Sequence, residues 1–253
     1  MNTMSPSATL SDLRARLSLQ SPASHRPYGA RLFDIPATGR GAAFSTDALH
    51  EVYAASTRHG PAAEGFGLGL ALQVPGTLVW IHEDKGRHEV GTLYGSGLRE
   101  WGVGTDNLLM VRVSSTAALL AAGEEALRSE APAAVLMSGW GQSKAFTLTA
   151  SRRLAMAAAA GRTMAVFVRT GVQPQPSAAE TRWSVQAARS GVLEAGAPGR
   201  PALKVSLLRS RAGLVSGEWI MEWDRDARSF VEPKTSGDLV SVSAHRSAGS
   251  RAA

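Results

Sequence analysis

The sequence predicts an α/β fold with a mostly parallel β-sheet, helices on both faces and an antiparallel β extension near the C-terminus. Short apolar runs alternate with helix-compatible segments from residue 48 onward, and the runs begin every 25–31 residues. That interval is the length of a βαβ unit. The runs are almost continuously apolar, which is typical of strands covered on both faces. Two further apolar runs after residue 200 flank a glycine turn and indicate a hairpin.

Each element follows from its local pattern. Leucines at three- and four-residue steps after a Thr or Ser cap predict a short amphipathic helix over 9–20. Buried strands are predicted at 48–53, 77–82, 108–113, 133–137 and 163–169. Helical segments are predicted between them at 61–73, 93–101, 116–130 and 149–160. A proline-containing segment, 171–188, leads to another strand, and the hairpin occupies 202–213 and 217–224.

Composition shifts divide the chain into three regions. Residues 1–27 form a predicted N-terminal helical arm and a polar linker, and residues 28–232 form one α/β domain. Residues 233–253 are small, polar and free of aromatics, so we expect this tail to be disordered. A chain of 253 residues is long enough for one such domain with extensions.

Composition also excludes several kinds of site and partner. The sequence contains no cysteine, which excludes disulfides, thiolate zinc sites and cysteine nucleophiles. It has no apolar run near the roughly 20 residues that a membrane helix needs, and its N-terminus lacks the apolar core of a signal peptide. We therefore expect a cytoplasmic protein without a membrane partner.

Positive charge is concentrated in the second half of the chain. Residues 1–139 carry 11 basic and 13 acidic side chains, whereas residues 140–253 carry 16 basic and 8 acidic ones. The halves therefore differ in net charge, at −2 and +8. Such asymmetry fits contact with a polyanion or an acidic partner, and a solvated surface is the ordinary alternative.

A glycine-rich stretch, GPAAEGFG, has the spacing of a phosphate loop without its chemistry. Gly60 and Gly65 match the G-x-x-x-x-G pattern, but Phe66 and Gly67 stand where lysine and Ser or Thr should follow. The strand at 133–137 is also followed by no carboxylate that could hold magnesium. We predict a degenerate nucleotide loop that keeps the shape of its connection, with Phe66 packed as an apolar side chain. No catalytic residue and no cofactor are predicted.

Other catalytic and ligand-binding patterns fit less well. Gly65, Gly67 and Gly69 suggest a dinucleotide loop, but the third glycine of that fingerprint falls on Leu70. His82, Asp84 and His88 lie in a charged segment without helical register, so a solvated loop is expected and no metal site is predicted. No serine stands in a nucleophile elbow.

Arginines near aromatic residues are the candidates for partner or nucleic-acid binding. Arg152 and Arg153 lie early in a predicted helix, where they oppose its dipole and suit an external anion. The remaining candidates lie in predicted strands, and these are Arg182, Trp183, Arg209 and Arg211. Arginine beside aromatics can bind single strands by charge and stacking. Alternatively, the tryptophans belong to the core and the arginines lie at its rim, which we favour.

Several segments resemble RecA recombinases. LHEVY followed by GPAAEGFGLGLAL resembles their phosphate-loop strand and helix, and LYGSGLREWGVGTDNLLMVRV resembles the segment that follows. The ordered set LTASRRLAMAAAAGRTMAVFVR, SAAETRW, LKVSLLRSRAG and WIMEWD is similar to the ImuA family, RecA-like and SulA-related accessory factors of bacterial inducible mutagenesis. The likeness covers about residues 30–225.

The resemblance implies a RecA-like fold and a damage-induced, SOS-type role in error-prone translesion DNA synthesis. The partners it implies are ImuB, an inactive Y-family polymerase homologue, an error-prone C-family DNA polymerase, and RecA or its filament. Because Phe66, Gly67 and the missing acid depart from RecA, we expect an adaptor and not an enzyme. An ATPase with an unconventional phosphate loop and a SulA-like inhibitor of the cell-division GTPase remain as alternatives.

Overall fold

The computed structural model describes residues 32, 33, 35, 44–85, 91, 93–191, 197, 199–211 and 216–233. The predicted helical arm, 1–27, lies outside these residues, as does the predicted tail after Pro233. The structure therefore bears on the predicted α/β domain alone.

Strands and helices alternate between residues 49 and 170, and strands alone precede and follow that part of the described chain. The first strands are β1 (Leu32–Phe33), β2 (Phe44–Ser45), β3 (Leu49–Ala54), β4 (Leu78–Glu83), β5 (Leu108–Val113), β6 (Ala134–Trp140) and β7 (Met164–Thr170). The later strands are β8 (Thr181–Ala187), β9 (Ala202–Ser210), β10 (Glu218–Asp224) and β11 (Ser229–Val231). The helices are α1 (Gly60–Ala71), α2 (Gly95–Glu100), α3 (Thr116–Arg128) and α4 (Leu148–Gly161).

Within the described residues, nine strands form one sheet in the order β11-β10-β9-β8-β3-β7-β6-β4-β5. Neighbouring strands from β8 to β5 run parallel, and β8, β9, β10 and β11 pair antiparallel. β1 and β2 form a separate small antiparallel sheet. The predicted fold class is confirmed, as a mostly parallel sheet with an antiparallel C-terminal extension.

The central strands send alternate side chains into two cores. In β4, Leu78 and Trp80 join the core under α1, whereas Val79 and Ile81 join the core under α3 and α4. Because both faces of the strand are buried, alternation between apolar and polar residues is absent from it. Helices therefore cover both faces of the parallel part of the sheet.

Side-chain caps mark the N-termini of α3 and α4, the two helices on the face opposite α1. Ser115 caps α3 by accepting a hydrogen bond from the Ala118 backbone N–H at 3.2 Å. Thr147 caps α4 in the same way through Ala150, at 3.1 Å. No helix in the described stretches is long and apolar enough to cross a membrane.

Candidate functional site

The glycine-rich stretch is helical, which confirms the helix predicted at 61–73 and corrects the loop predicted at the same glycines. α1 begins at Gly60 and contains all of the predicted loop residues, namely Gly60, Gly65, Phe66 and Gly67. The chain turns earlier, in a single 3-10 turn at Thr57–His59. Pro61 favours a helix start at this point, because its φ is already helical and its missing N–H would have no partner in the first turn. The G-x-x-x-x-G spacing here therefore forms no phosphate-binding loop.

Phe66 belongs to the core. Its side chain is fully buried, and its ring lies 5.4 Å from that of Trp183 and 5.1 Å from that of Phe230, centroid to centroid. The prediction that Phe66 packs as an apolar side chain is confirmed. A lysine at this position would direct its ammonium group into the aromatic cluster instead of toward a ligand.

The glycines of α1 permit close packing against the sheet and its neighbours. A methyl group on Gly67 would lie 2.6 Å from Val168 Cγ2, and one on Gly65 would lie 2.9 Å from the Trp101 ring. At Gly69 it would collide with the Phe230 ring. The repeated glycines thus have a packing role, which the sequence pattern alone does not separate from phosphate binding.

A cavity of about 310 Å³ lies beside α1, at the carboxyl ends of β4 and β6. α2, the helix after β4, packs on the face of the sheet that α1 covers, whereas α4, the helix after β6, packs on the opposite face. Ligands of open α/β sheets bind where successive connections separate in this way. The walls are largely apolar and include Leu68, Trp80, Leu98 and Trp101. The cavity is therefore the candidate functional site.

Glu64 places a carboxyl group in this cavity. Its Oε2 accepts a hydrogen bond of 2.7 Å from the Ser138 hydroxyl, which in turn accepts one of 2.9 Å from Trp80 Nε1. Burial raises the pKa of Glu64 to about 7, and the hydrogen bond from Ser138 opposes that rise. Glu64 therefore changes charge in the neutral pH range.

His82 and Glu83 end β4 at the cavity, which corrects the prediction of a solvated loop at His82. The His82 ring packs on the Trp80 ring at 4.7 Å, and its buried Nε2 has no hydrogen-bond partner among the described residues. Burial lowers the pKa of His82 to about 4, so the ring is neutral near pH 7. Glu83 is buried and accepts hydrogen bonds from the Thr116 hydroxyl at 3.1 and 3.2 Å.

Carboxyl groups outnumber cations along the cavity wall. Among the described residues that line it, the acids are Glu64, Glu83 and Asp84 and the one cation is Arg112. Lys85, outside this lining, forms an ion pair with Glu83 at 3.8 Å. The lining histidine is neutral near pH 7, as described above. The cavity is therefore more suited to a neutral or cationic group than to an anion.

The predicted binding pair Arg182 and Trp183 is internal. Arg182 forms an ion pair with the buried Glu51 at 3.2 Å and donates to the Ser177 hydroxyl at 2.8 Å. Trp183 is almost fully buried in the first core. These contacts agree with the interpretation that the tryptophan belongs to the core. They also explain how Arg182 tolerates Arg209 directly opposite it on β9.

The other predicted arginines lie nearer the surface. Arg153 forms an ion pair with Glu124 of α3 and so joins two helices. Arg211 donates to the Ser177 carbonyl at 3.4 Å. Arg152 and Arg209 are exposed, and no described residue forms an ion pair with either. The structure therefore brings Arg182, Arg209 and Arg211 together around Ser177, whereas Arg153 pairs between two helices.

Sequence reasoning missed Glu64 as a functional residue, although a signal was present. α1 is apolar around its whole circumference, and Glu64 is its single charged residue. A helix of that kind is buried on all sides. Its one carboxyl group is therefore expected to face a partner, a cavity or a ligand.

No family model and no curated protein matches this chain. Among solved structures, SulA from Pseudomonas aeruginosa is similar, with 19% sequence identity and a TM-score of 0.37. The match covers 49% of this chain and 98% of that one. Membership of the ImuA family stays a prediction.

Proposed function

We propose that this protein is a non-catalytic adaptor in SOS-inducible, error-prone translesion DNA synthesis, acting in the cytoplasm. It binds an ImuB-like inactive Y-family polymerase and an error-prone C-family DNA polymerase, with RecA as a further partner. The order of the segments that resemble the ImuA family supports the choice of pathway. The proposal for how the protein works is supported by the geometry around α1.

The start of α1 is the observation that carries this proposal. In a phosphate loop, open backbone N–H groups and a lysine surround the phosphates. Here the corresponding residues are helical from Gly60, and Phe66 occupies the aromatic core. The neighbouring cavity is lined by Glu64, Glu83 and Asp84, whose carboxylates would repel a triphosphate. These features favour binding of macromolecular partners over nucleotide hydrolysis.

Exposed cations offer a surface for an acidic partner. Arg209 on β9 and Arg152 on α4 are exposed and have no ion-pair partner among the described residues. Both belong to the half of the chain that carries a net charge of +8. Unpaired surface cations contribute to the rate and specificity of association with acidic surfaces.

Co-purification tests the adaptor function directly. Tagged protein is expressed with ImuB and, separately, with RecA, and the retained partner is quantified. We expect the intact chain to retain ImuB, and Arg209→Glu to reduce retention because it reverses an unpaired surface charge. Arg189→Glu makes the same charge change at another exposed arginine that has no ion-pair partner among the described residues, in the segment after β8, and serves as the matched control. If the intact protein retains neither partner, the adaptor function is wrong.

A second measurement separates the adaptor from the ATPase alternative. A ligand present at about 100 times its Kd stabilises a protein by about 2.7 kcal/mol, which raises the Tm by several degrees. We expect no such shift with millimolar ATP and magnesium, since the cavity is rich in carboxyl groups. A reproducible ATP-dependent rise would instead support nucleotide binding. Filamentation of cells on overexpression would favour the SulA-like alternative.

A further inference from the structure

We propose that the cavity beside α1 accepts the side chain of an arginine presented by a protein partner. The proposal concerns the chemistry of the cavity, and it rests on the adaptor function only for the identity of the partner.

The size of the cavity and the exposed side chains that line it fit one large side chain. The cavity holds about 310 Å³, which suits one large side chain better than a folded element. Tyr94 and Met110 both line it, although they are 74% and 41% exposed. Large apolar side chains exposed around a cavity are typical of a binding site. The methylene chain of an arginine would cover such surface while its head group enters.

The polar atoms of the cavity suit a group that carries several hydrogen-bond donors. Glu64 Oε2 is occupied by the Ser138 hydroxyl, whereas no described residue donates a hydrogen bond to Glu64 Oε1. A guanidinium group carries five N–H donors and no acceptor. It can therefore donate several N–H groups to the Glu64 carboxylate while the Ser138 hydroxyl stays bonded to Oε2.

Charge and ring planarity select arginine among the possible anchors. Glu64, Glu83 and Asp84 outnumber Arg112 along the wall, so a cation is favoured over a carboxylate or a phosphate. Trp80 and Trp101 supply aromatic surface on the same wall. A flat guanidinium group stacks on aromatic rings and also forms directed hydrogen bonds to carboxylates, whereas an ammonium group is a compact, strongly hydrated charge.

A titration with a matched pair of small probes tests the proposal. N-acetyl-arginine N-methylamide and its uncharged analogue N-acetyl-citrulline N-methylamide are added separately to the ¹⁵N-labelled full-length chain. We expect the arginine probe to shift the Trp80 indole N–H signal saturably, because the acceptor of that N–H also contacts Glu64. The signal of Trp183, which is buried among the core aromatics, is the internal reference. Citrulline is expected to bind at least tenfold more weakly.

Variants assign the binding to Glu64. Glu64→Gln is expected to weaken the arginine probe at least tenfold and to leave the citrulline probe unchanged. Glu218→Gln removes a carboxylate from β10, where it pairs with Lys204, and is expected to bind the arginine probe as the unaltered chain does. Equal binding of the two probes, or saturable binding that Glu64→Gln does not affect, would overturn the proposal. So would the absence of any Trp80 shift at high millimolar probe.

The dependence of probe binding on pH gives an independent readout. Arginine keeps its charge throughout, so a change between about pH 6 and 8 reports groups of the protein. The titratable or charged side chains that line the cavity are Glu64, His82, Glu83, Asp84, Tyr94 and Arg112. We expect affinity to rise over this range in the unaltered chain, as Glu64 ionises, and not in Glu64→Gln. A fall in the unaltered chain would contradict the proposal.

The two proposals fail separately. If the arginine probe binds and no partner co-purifies, the cavity assignment stands and the adaptor function is wrong. If ImuB or RecA is retained and the probe does not bind, the adaptor function stands and the partner engages another surface.

Discussion

Glu64 is the single charged residue of α1, and it faces a cavity instead of bulk solvent. Its one hydrogen bond, from Ser138, compensates only part of the cost of holding a charged carboxylate there. Burial therefore raises the pKa of Glu64 to about 7. Glu64 is the residue best placed to bind a cation, and its ionised form therefore lowers the free energy of unfolding.

This residue predicts a pH dependence of stability. Because the folded pKa of Glu64 lies above its usual value of 4.5, the folded state binds more protons than the unfolded state between about pH 4.5 and 7. The contribution of Glu64 to the free energy of unfolding is full below that range and is lost as the pH rises through it. We expect Glu64→Gln to stabilise the protein by about 1–2 kcal/mol at pH 8 and to have little effect near pH 5.

Urea unfolding at several pH values measures this difference. His50 and His82 have pKa values lowered to about 4 by burial, so their contribution to stability rises between about pH 4 and 6.5. Both histidines are present in each variant, and subtracting the two curves isolates Glu64. Glu100→Gln, on the exposed side of α2, reports the effect of losing one carboxylate elsewhere. A difference that does not grow with pH would contradict the prediction.

The environment of a residue could be predicted from the sequence where the chemistry of its side chain was sufficient to decide it. Phe66 cannot bind a phosphate, and its apolar ring packs in the core as expected. The role of Arg182 could not be predicted, because its partner Glu51 is 131 positions away and the pairing depends on the parallel register of β3 and β8. Contacts between distant segments are set by sheet order, which local patterns do not encode.

The packing of α1 on the sheet depends on residues without side chains. Gly67 lies over Leu136 and Val168, and a methyl group there would approach their side chains to 3.3 and 2.6 Å. Val168 is fully buried in the central strand β7 and, being β-branched, has little rotameric freedom to move away. Close approach of helix and sheet thus accounts for a glycine that would otherwise weaken the helix.

Gly67→Ala is therefore expected to destabilise the protein. Overpacking costs about 1–3 kcal/mol, and the better helix propensity of alanine offsets up to about 1 kcal/mol of that cost. We expect a net loss of about 1–2 kcal/mol in the free energy of unfolding, measured by denaturant titration. Gly97→Ala in α2 is the matched control, since a methyl group there meets no atom within 4 Å. Stabilisation by Gly67→Ala would show that α1 can move away from the sheet.

The bounds of the longer strands and helices were predicted closely. The predicted segments 108–113 and 116–130 correspond to β5 and α3, which the structure places at Leu108–Val113 and Thr116–Arg128. The short strands β1, β2 and β11 were not predicted, because two or three residues carry too little pattern to distinguish them from loops. The helix predicted at 61–73 is confirmed as α1, whereas the phosphate-loop interpretation of its glycines was wrong because the sequence does not show what each glycine contacts.

β11 is the strand at one edge of the nine-stranded sheet, and it contributes to the core under α1. Phe230 is buried and lies 5.1 Å from the ring of Phe66 and 5.0 Å from that of Trp223. β10 pairs with β11 through Glu222, Trp223 and Asp224. A strand of three residues near the C-terminus thus closes the aromatic cluster that begins in α1.

Two truncations test where the folded unit ends. A chain ending at Pro233 retains β11 and is expected to unfold at nearly the same Tm as the full sequence. A chain ending at Asp226 lacks Phe230, and loss of one buried phenylalanine side chain costs about 3–5 kcal/mol. For a domain of this size that cost lowers the Tm by roughly 6–20 °C. Differential scanning calorimetry of both chains measures the difference.

The comparison also separates stability from binding. If the chain ending at Pro233 unfolds normally, its retention of ImuB reports the tail after that residue and not the fold. Equal Tm values for the two truncations would mean that β11 adds little to the core, contrary to the burial of Phe230. A large drop in the Tm of the chain ending at Pro233 would instead mean that residues after Pro233 belong to the cooperative folding unit. Truncation there could then no longer separate binding from stability.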